Sequence, residues 1–172
     1  MRNTMKFRYK DQIVTASSKN EAVNRIKLLK KDKDYIFKKA ENGDTSIFKL
    51  PKEALMIQDE NGETPTHYIA CQLHKKLLSI PKELLMVKAN NGNTPVHVIA
   101  LHASRYNDKL LVLQLSKELL KIKDNEGDTP VHDLAYTGVD EIRKLTKELL
   151  SIKNNDGDTP LDILRLANYP RK

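Results

Sequence analysis

Three histidines recur in one context, Thr-Pro-x-His, at His67, His97 and His132. Histidine titrates near neutral pH and is the commonest metal ligand, so a repeated histidine is the first chemistry to test. The intervals are 30 and 35 residues. If each interval is one structural unit, packed at the ~10 Å of neighbouring helices, the rings lie too far apart to share a metal. His74 and His102 have no partner at ligand spacing and read as surface residues. Cys71 is the single cysteine, which excludes a disulfide framework and a cysteine-ligated zinc site. No histidine and acid are arranged around it to make a nucleophile. Asp59, Asp124, Asp128, Asp156 and Asp158 lie beside glycines, as calcium ligands do, but without the twelve-residue loop and its terminal Glu. Neither a phosphate-cradling glycine loop nor Gly-x-Ser-x-Gly occurs. Aromatics make up 5% of the chain, and there is no Trp to build a pocket of stacked rings. The expectation is a protein with no catalytic residue, no metal and no cofactor.

The elements that hold these residues are set by an internal repeat. Asn61–Ala70, Asn91–Ala100 and Glu126–Ala135 share Gly-x-Thr-Pro-x-His-x-x-Ala or -Leu-Ala, and Asp156–Leu164 is a fourth copy with Asp162 in the histidine's place. Asn42-Gly-Asp-Thr-Ser-Ile-Phe48 reads as a degenerate fifth. The glycines at 43, 62, 92, 127 and 157 are separated by 19, 30, 35 and 30 residues. A second motif precedes each of the later copies: Pro51-Lys-Glu-Ala-Leu, Pro81-Lys-Glu-Leu-Leu, Ser116-Lys-Glu-Leu-Leu and Thr146-Lys-Glu-Leu-Leu. Glycine supplies the positive φ of a tight turn. Thr then caps a helix that begins on Pro, where the missing N–H costs nothing. In the second copy this helix turns Val96, Ile99 and Ala100 inward. A second helical segment buries Leu84, Leu85 and Val87, and later Leu119, Leu120, Ile122 and Leu149, Leu150, Ile152. Such pairs cannot bury their apolar faces alone, so three or more must stack.

This pattern resembles the ankyrin repeat over about residues 32–172, on the Thr-Pro-x-His signature and the following Leu-Leu pair. The resemblance implies an all-α solenoid of helical hairpins, with the histidines hydrogen-bonded to neighbouring turns. Gly138 stands where the family places the glycine between its two helices. The dominant period of 30 is shorter than the family's, so the turns should project less. On the glycine spacing, Gly43–Gly62 is too short for two helices and reads as an N-terminal cap, while Tyr35, Ile36, Phe37 and Ala40 read as the tail of a second helix. The Gly92–Gly127 unit carries extra residues around Ser104–Asp108, and the last unit reads as a C-terminal cap.

Residues 1–31 form a separate leader. Met5–Lys10 alternates apolar and basic residues, Gln12–Ala16 reads as a returning strand, and Ser18-Lys-Asn-Glu21 opens a helix. The expected element is a small ββα cap on the array. The chain's formal charge of +7 is concentrated here: residues 1–40 hold twelve Lys/Arg and four acids, whereas the rest hold eighteen and nineteen. Lys6, Arg8, Lys10, Lys27, Lys30, Lys31 and Lys33 are therefore candidate nucleic-acid contacts, against the plainer reading of a solvated basic face. With no secretory signal and no apolar run of membrane-spanning length, the expected compartment is the cytoplasm, of the producing cell or of a host.

What remains is a surface. Ankyrin arrays bind proteins through turn tips and the exposed side of the first helices, on the concave face. The resemblance places Glu60, Asn61, Glu63, Cys71 and Gln72 there in one unit, and Asn90, Asn91, Asn93, Leu101 and His102 in the next. Asn125, Glu126, Asp128, Tyr136 and Thr137 follow, then Asn155, Asp156 and Asp158. Arg105 and Tyr106, in the insertion, are further candidates, and Tyr136 is the best anchor. The expected function is non-catalytic binding of another protein, basic or amide-reading, as an inhibitor, effector or adaptor acting on host or defence proteins. The alternative is a nucleic-acid-associated protein using the basic leader.

Overall fold

The computed structural model describes residues 5–9, 12–16, 33–50, 52–70, 72, 77–103 and 111–168. Strand β1 (Met5–Tyr9) pairs antiparallel with β2 (Gln12–Ala16), Met5 opposite Ala16 and Tyr9 opposite Gln12. The helix expected after β2 lies outside the described residues. Everything from residue 33 onward is helical or turn.

Helix α1 covers residues 33–41 and is followed by a 3-10 turn at Thr45–Lys49 and a single α turn, α2 (Lys52–Leu55). The sequence recurs: α3 (Pro65–Ala70), a 3-10 turn at Leu77–Ser79, then α4 (Lys82–Leu85). It recurs as α5 (Pro95–His102), Val112–Gln114 and α6 (Lys117–Leu120), and as α7 (Pro130–Tyr136), Asp140–Lys144 and α8 (Lys147–Leu150). Helix α9 (Pro160–Asn168) closes the series. The first helices pack side by side, α3 on α5, α5 on α7 and α7 on α9. Phe37 of α1 meets Tyr68 of α3 edge-to-face, with ring centroids 5.2 Å apart. A continuous core results, running from Ala40 and Ile47 through Ile69, Val96, Leu120 and Leu134 to Leu164.

This arrangement corrects the reading of the N-terminal unit. Gly43 is the glycine after a first helix, matching Gly138, and not the turn glycine of a truncated copy. Gly43 N–H donates to the Ala40 carbonyl at 2.9 Å and Asp44 N–H to Lys39, as Gly138 N–H does to Ala135 and Val139 N–H to Leu134. Ala40 is therefore the counterpart of Ala70, Ala100 and Ala135, and Ile36 and Phe37 are buried on a first helix instead of ending a second. The misreading arose because α1 lacks Thr-Pro-x-His: Phe37 occupies the histidine's place.

The second limb of each unit is also broken, where the resemblance implies one helix. Leu115 (ψ 159) and Leu145 (ψ 163) are extended, and so are Pro81, Ser116 and Thr146 as N-caps. Proline drives the residue before it out of the α region and brings no N–H of its own. Ser and Thr at the same place favour a cap over a helix interior. The limb therefore splits into a 3-10 turn and one α turn, and the Lys-Glu-Leu-Leu segment still buries Leu84 and Leu85, Leu119 and Leu120, and Leu149. The insertion around Ser104–Asp108 lies outside the described residues.

Candidate functional site

The repeated histidines are built into the seams between units. Each first helix has Thr as N-cap and Pro at its first position, and in α5 and α7 the Thr and His side chains cap each other's backbone N–H reciprocally. Nδ1 of His67, His97 and His132 accepts the backbone N–H of Thr64, Thr94 and Thr129 at 3.0, 3.1 and 3.1 Å. Because that donor can only donate, the ring is neutral with its proton on Nε2. Nε2–H then donates across the seam to the carbonyls of Asn93, Asp128 and Asp158, at 3.1, 3.3 and 3.2 Å. Burial holds all three rings below the ordinary histidine pKa of 6.5, opposed by the hydrogen bonds to those carbonyls. Asp162 reproduces the inward half alone: its Oδ2 accepts Thr159 N–H at 3.0 Å and the Thr159 hydroxyl at 2.6 Å.

The turn tips are tied together as well. Asn90 donates its backbone N–H to the Asn61 carbonyl and its Nδ2–H to the Glu60 carbonyl, both at 2.9 Å. Asn125 does the same to Asn91 and Asn90, and Asn155 to Glu126 and Asn125. Glycine at 62, 92 and 127 leaves room for this approach. A Cβ on Gly92 would lie 2.5 Å from the Asn125 nitrogen, besides needing a φ of +85. Behind the tips, Gln58 reaches the Lys88 carbonyl, Lys88 that of Lys123, and Lys123 that of Lys153. On the Lys-Glu-Leu-Leu turns, Lys52 faces Glu83, Lys82 pairs with Glu118, and Lys117 and Lys121 both pair with Glu148.

Several predicted surface positions therefore have internal work. The amide donors of Asn90, Asn125 and Asn155 are engaged between units, although these residues are exposed. Asp128 is buried, accepts Asn154 Nδ2–H at 2.8 Å, and is corrected from an exposed contact to a seam residue. Gln72 donates to the Glu41 carbonyl and lies against Gly43. His102 bonds the Val98 carbonyl through Nδ1 at 2.8 Å, and the Thr137 hydroxyl donates to the Leu134 carbonyl. Lys33 places its ammonium on the Gln58 carbonyl and over the Phe37 ring. Glu60, Asn61, Asn91, Glu126 and Asp156 are exposed at the tips, and Glu63, Asn93 and Asp158 are half-buried. Lys6 and Arg8 fall on β1; Lys10, Lys27, Lys30, Lys31, Cys71, His74, Arg105 and Tyr106 lie outside the described residues.

Leu101 and Tyr136 are open, at 40% and 50% exposure. Each is the seventh residue after its capping Thr, and so is Leu166 after Thr159, also 50% exposed. The sequence reading passed over Leu166 because its helix was read only as a cap; counting from Thr would have found it. Tyr136 stands beside the acidic tips: burial first, then the charge of Asp128 and those of Asp156 and Asp158, push its hydroxyl up to about 12. In the first unit Tyr68 donates to Asp59 Oδ2 at 2.6 Å, which raises its pKa.

The third unit also gathers acids. Asp124, Glu126 and Asp128 each present an oxygen within 4.8 Å of the others, the group among the described residues that could hold a metal. Asp133 is buried at 5% exposure, and its Oδ2 has no hydrogen-bond partner among the described residues. Burial first, then Asp124, Asp128 and Glu126, push its carboxyl up to about 8. Its place on the first helix, among apolar or aromatic counterparts, gave no signal in the sequence.

Compared with protein-family models and with curated proteins, the chain matches none. Among the described residues no helix is long and apolar enough to cross a membrane.

Proposed function

We propose that the chain is an ankyrin-like solenoid that binds another protein, without catalysis, through its turn tips and the exposed ends of its first helices. The observation that carries this is the row Leu101, Tyr136 and Leu166: large apolar side chains at one repeat position, exposed on successive units. Exposed apolar groups are ordinary when scattered, whereas a repeated row beside polar groups is how docking surfaces are built. Acidic and amide tips flank the row, with Glu126 and Asp156 beside Tyr136, so a partner segment carrying basic groups around an apolar side chain fits best.

The seam bonds support the same reading. They hold the units in fixed register, so the row is pre-organised and little ordering is required on binding. Such an array acts by occupying a partner's site, as an inhibitor or adaptor. Tyr136→Ala combined with Glu126→Lys should abolish capture of the native partner by immobilised protein while circular dichroism stays unchanged. Capture that survives both this variant and Leu101→Asp/Leu166→Asp would remove the row as the binding surface.

A further inference from the structure

We infer that the turn of the third unit, backed by Asp133, is a binding site for a divalent cation of the calcium class, ligated by Asp124, Glu126, Asp128 and Asp133. The argument starts from the buried carboxyl. Asp133 is nine-tenths covered, and one of its oxygens meets no donor among the described residues. Buried polar groups are almost always satisfied, so an orphan oxygen calls for a missing partner. Its direction follows from the first unit. Tyr68, at the same repeat position, reaches the first acid of its own turn and donates to Asp59 Oδ2 at 2.6 Å. Asp133 thus projects toward Asp124, the counterpart of Asp59.

The two positions change together along the chain. Tyr68 stands with Asp59, a donor with an acceptor. Val98 stands with Ala89, both apolar, and Ile163 with Asn154, which is uncharged. Only the third unit sets two acids at this pair, and the charges acting on Asp133 are those of Asp124, Asp128 and Glu126, all negative. Asp124 Oδ1 is taken by the N–H groups of Glu126 and Asp128, at 2.9 and 2.8 Å, and no donor is assigned to its Oδ2. Asp128 gives one oxygen to Asn154 and keeps the other. Glu126 is exposed and free to swing.

Four carboxylates with no nitrogen or sulfur among them are hard ligands, which select calcium or magnesium over zinc or copper. The three turn oxygens lie no more than 4.8 Å apart, a spread that a cation with oxygen distances of about 2.4 Å fills. Calcium tolerates the irregular arrangement of one buried carboxylate, two anchored to the turn and one mobile, whereas magnesium demands a near-ideal octahedron. The rival partner for Asp133 is a proton, which would leave the carboxyl neutral and the turn unable to hold an ion. The site does not rest on the partner-binding reading.

Terbium titrated into the full chain distinguishes them. With no Trp in the sequence, tyrosine is the sensitiser, and Tyr136 lies beside Asp128. Sensitised emission should saturate at one ion per chain and be displaced by calcium with a dissociation constant of about 10⁻⁴ M. Asp133→Asn and Asp124→Asn should each weaken calcium binding by roughly 10-fold or more, as loss of a charged ligand does. Asp124→Asn keeps the fold, because Asn154 already accepts the same two turn N–H groups in the last unit. Tyr136→Phe should extinguish the emission while calorimetric calcium affinity is retained. No saturable binding up to about 10 mM calcium, beyond the weakest protein sites, would overturn the inference, and so would binding that both Asn variants leave unaltered.

Discussion

A histidine that bonds Thr through Nδ1 and the next unit through Nε2–H does both only while neutral. His67, His97 and His132 therefore couple stability to pH. Their folded pKa values lie below the 6.5 of an unperturbed ring, so in the window below 6.5 the unfolded chain binds more protons than the folded one. Their contribution is fully present above pH about 6.5 and is lost as pH falls below it. Urea midpoints measured from pH 8 down to 5 should decline through that window. His97→Gln, which can accept and donate in the same directions without titrating, should make the decline shallower; an unchanged profile would exclude this coupling. His97→Ala should cost roughly 1–3 kcal/mol, because Thr94 N–H and the Asp128 carbonyl both lose a buried partner. Asp162 completes the argument at this scale. An aspartate has no outward donor, and the last unit has no following turn carbonyl to receive one among the described residues.

At the scale of the turn, the two demands on glycine can be separated by experiment. Gly92 and Gly157 share nearly the same backbone, φ +85 and +87. Gly157→Ala meets nothing within 4 Å and should cost only the left-handed strain of about 1 kcal/mol. Gly92→Ala must also push Asn125 away from 2.5 Å, and with it the seam bonds of that turn. Its loss of stability in urea should exceed that of Gly157→Ala by about 1–3 kcal/mol, the penalty of unsatisfied or overpacked groups. Equal costs would show that the turns do not pack as described. The Thr-Pro-x-His helices were legible because cap, proline and apolar spacing are local signals. The broken second limb was not, since Lys-Glu-Leu-Leu reads as helix either way and the break lies in the preceding extended pair. Unit register at the N-terminus failed for a similar reason: Gly43 and Gly62 look alike as letters but serve different turns.

For the whole molecule, the question is what keeps the units stacked. The Lys–Glu pairs on the second limbs all have side chains more than a third exposed. Each contributes between nothing and about 1 kcal/mol and is screened by salt. Leu134 is fully buried in the core, and Leu134→Ala should cost about 2–5 kcal/mol. The melting temperature should accordingly move by only a few degrees (~1 kcal/mol for a chain of this size) between low and molar sodium chloride. A salt-induced collapse would show that ions, not the core and the seam hydrogen bonds, hold the stack.

By itself the sequence determined the repeat, the capped first helices, the glycine turns and the apolar set that must be buried, because each depends on neighbours within a few positions. Tertiary structure alone decided what crosses the seams. That Asn90, Asn125 and Asn155 donate between turns, that Asp128 is buried, that Leu101, Tyr136 and Leu166 form a row, and that Asp133 sits behind an acidic turn are all relations between residues about one unit apart or brought together by folding. An amide, a carboxylate or a leucine is written the same way whether it faces water or the next unit, and only packing determines which.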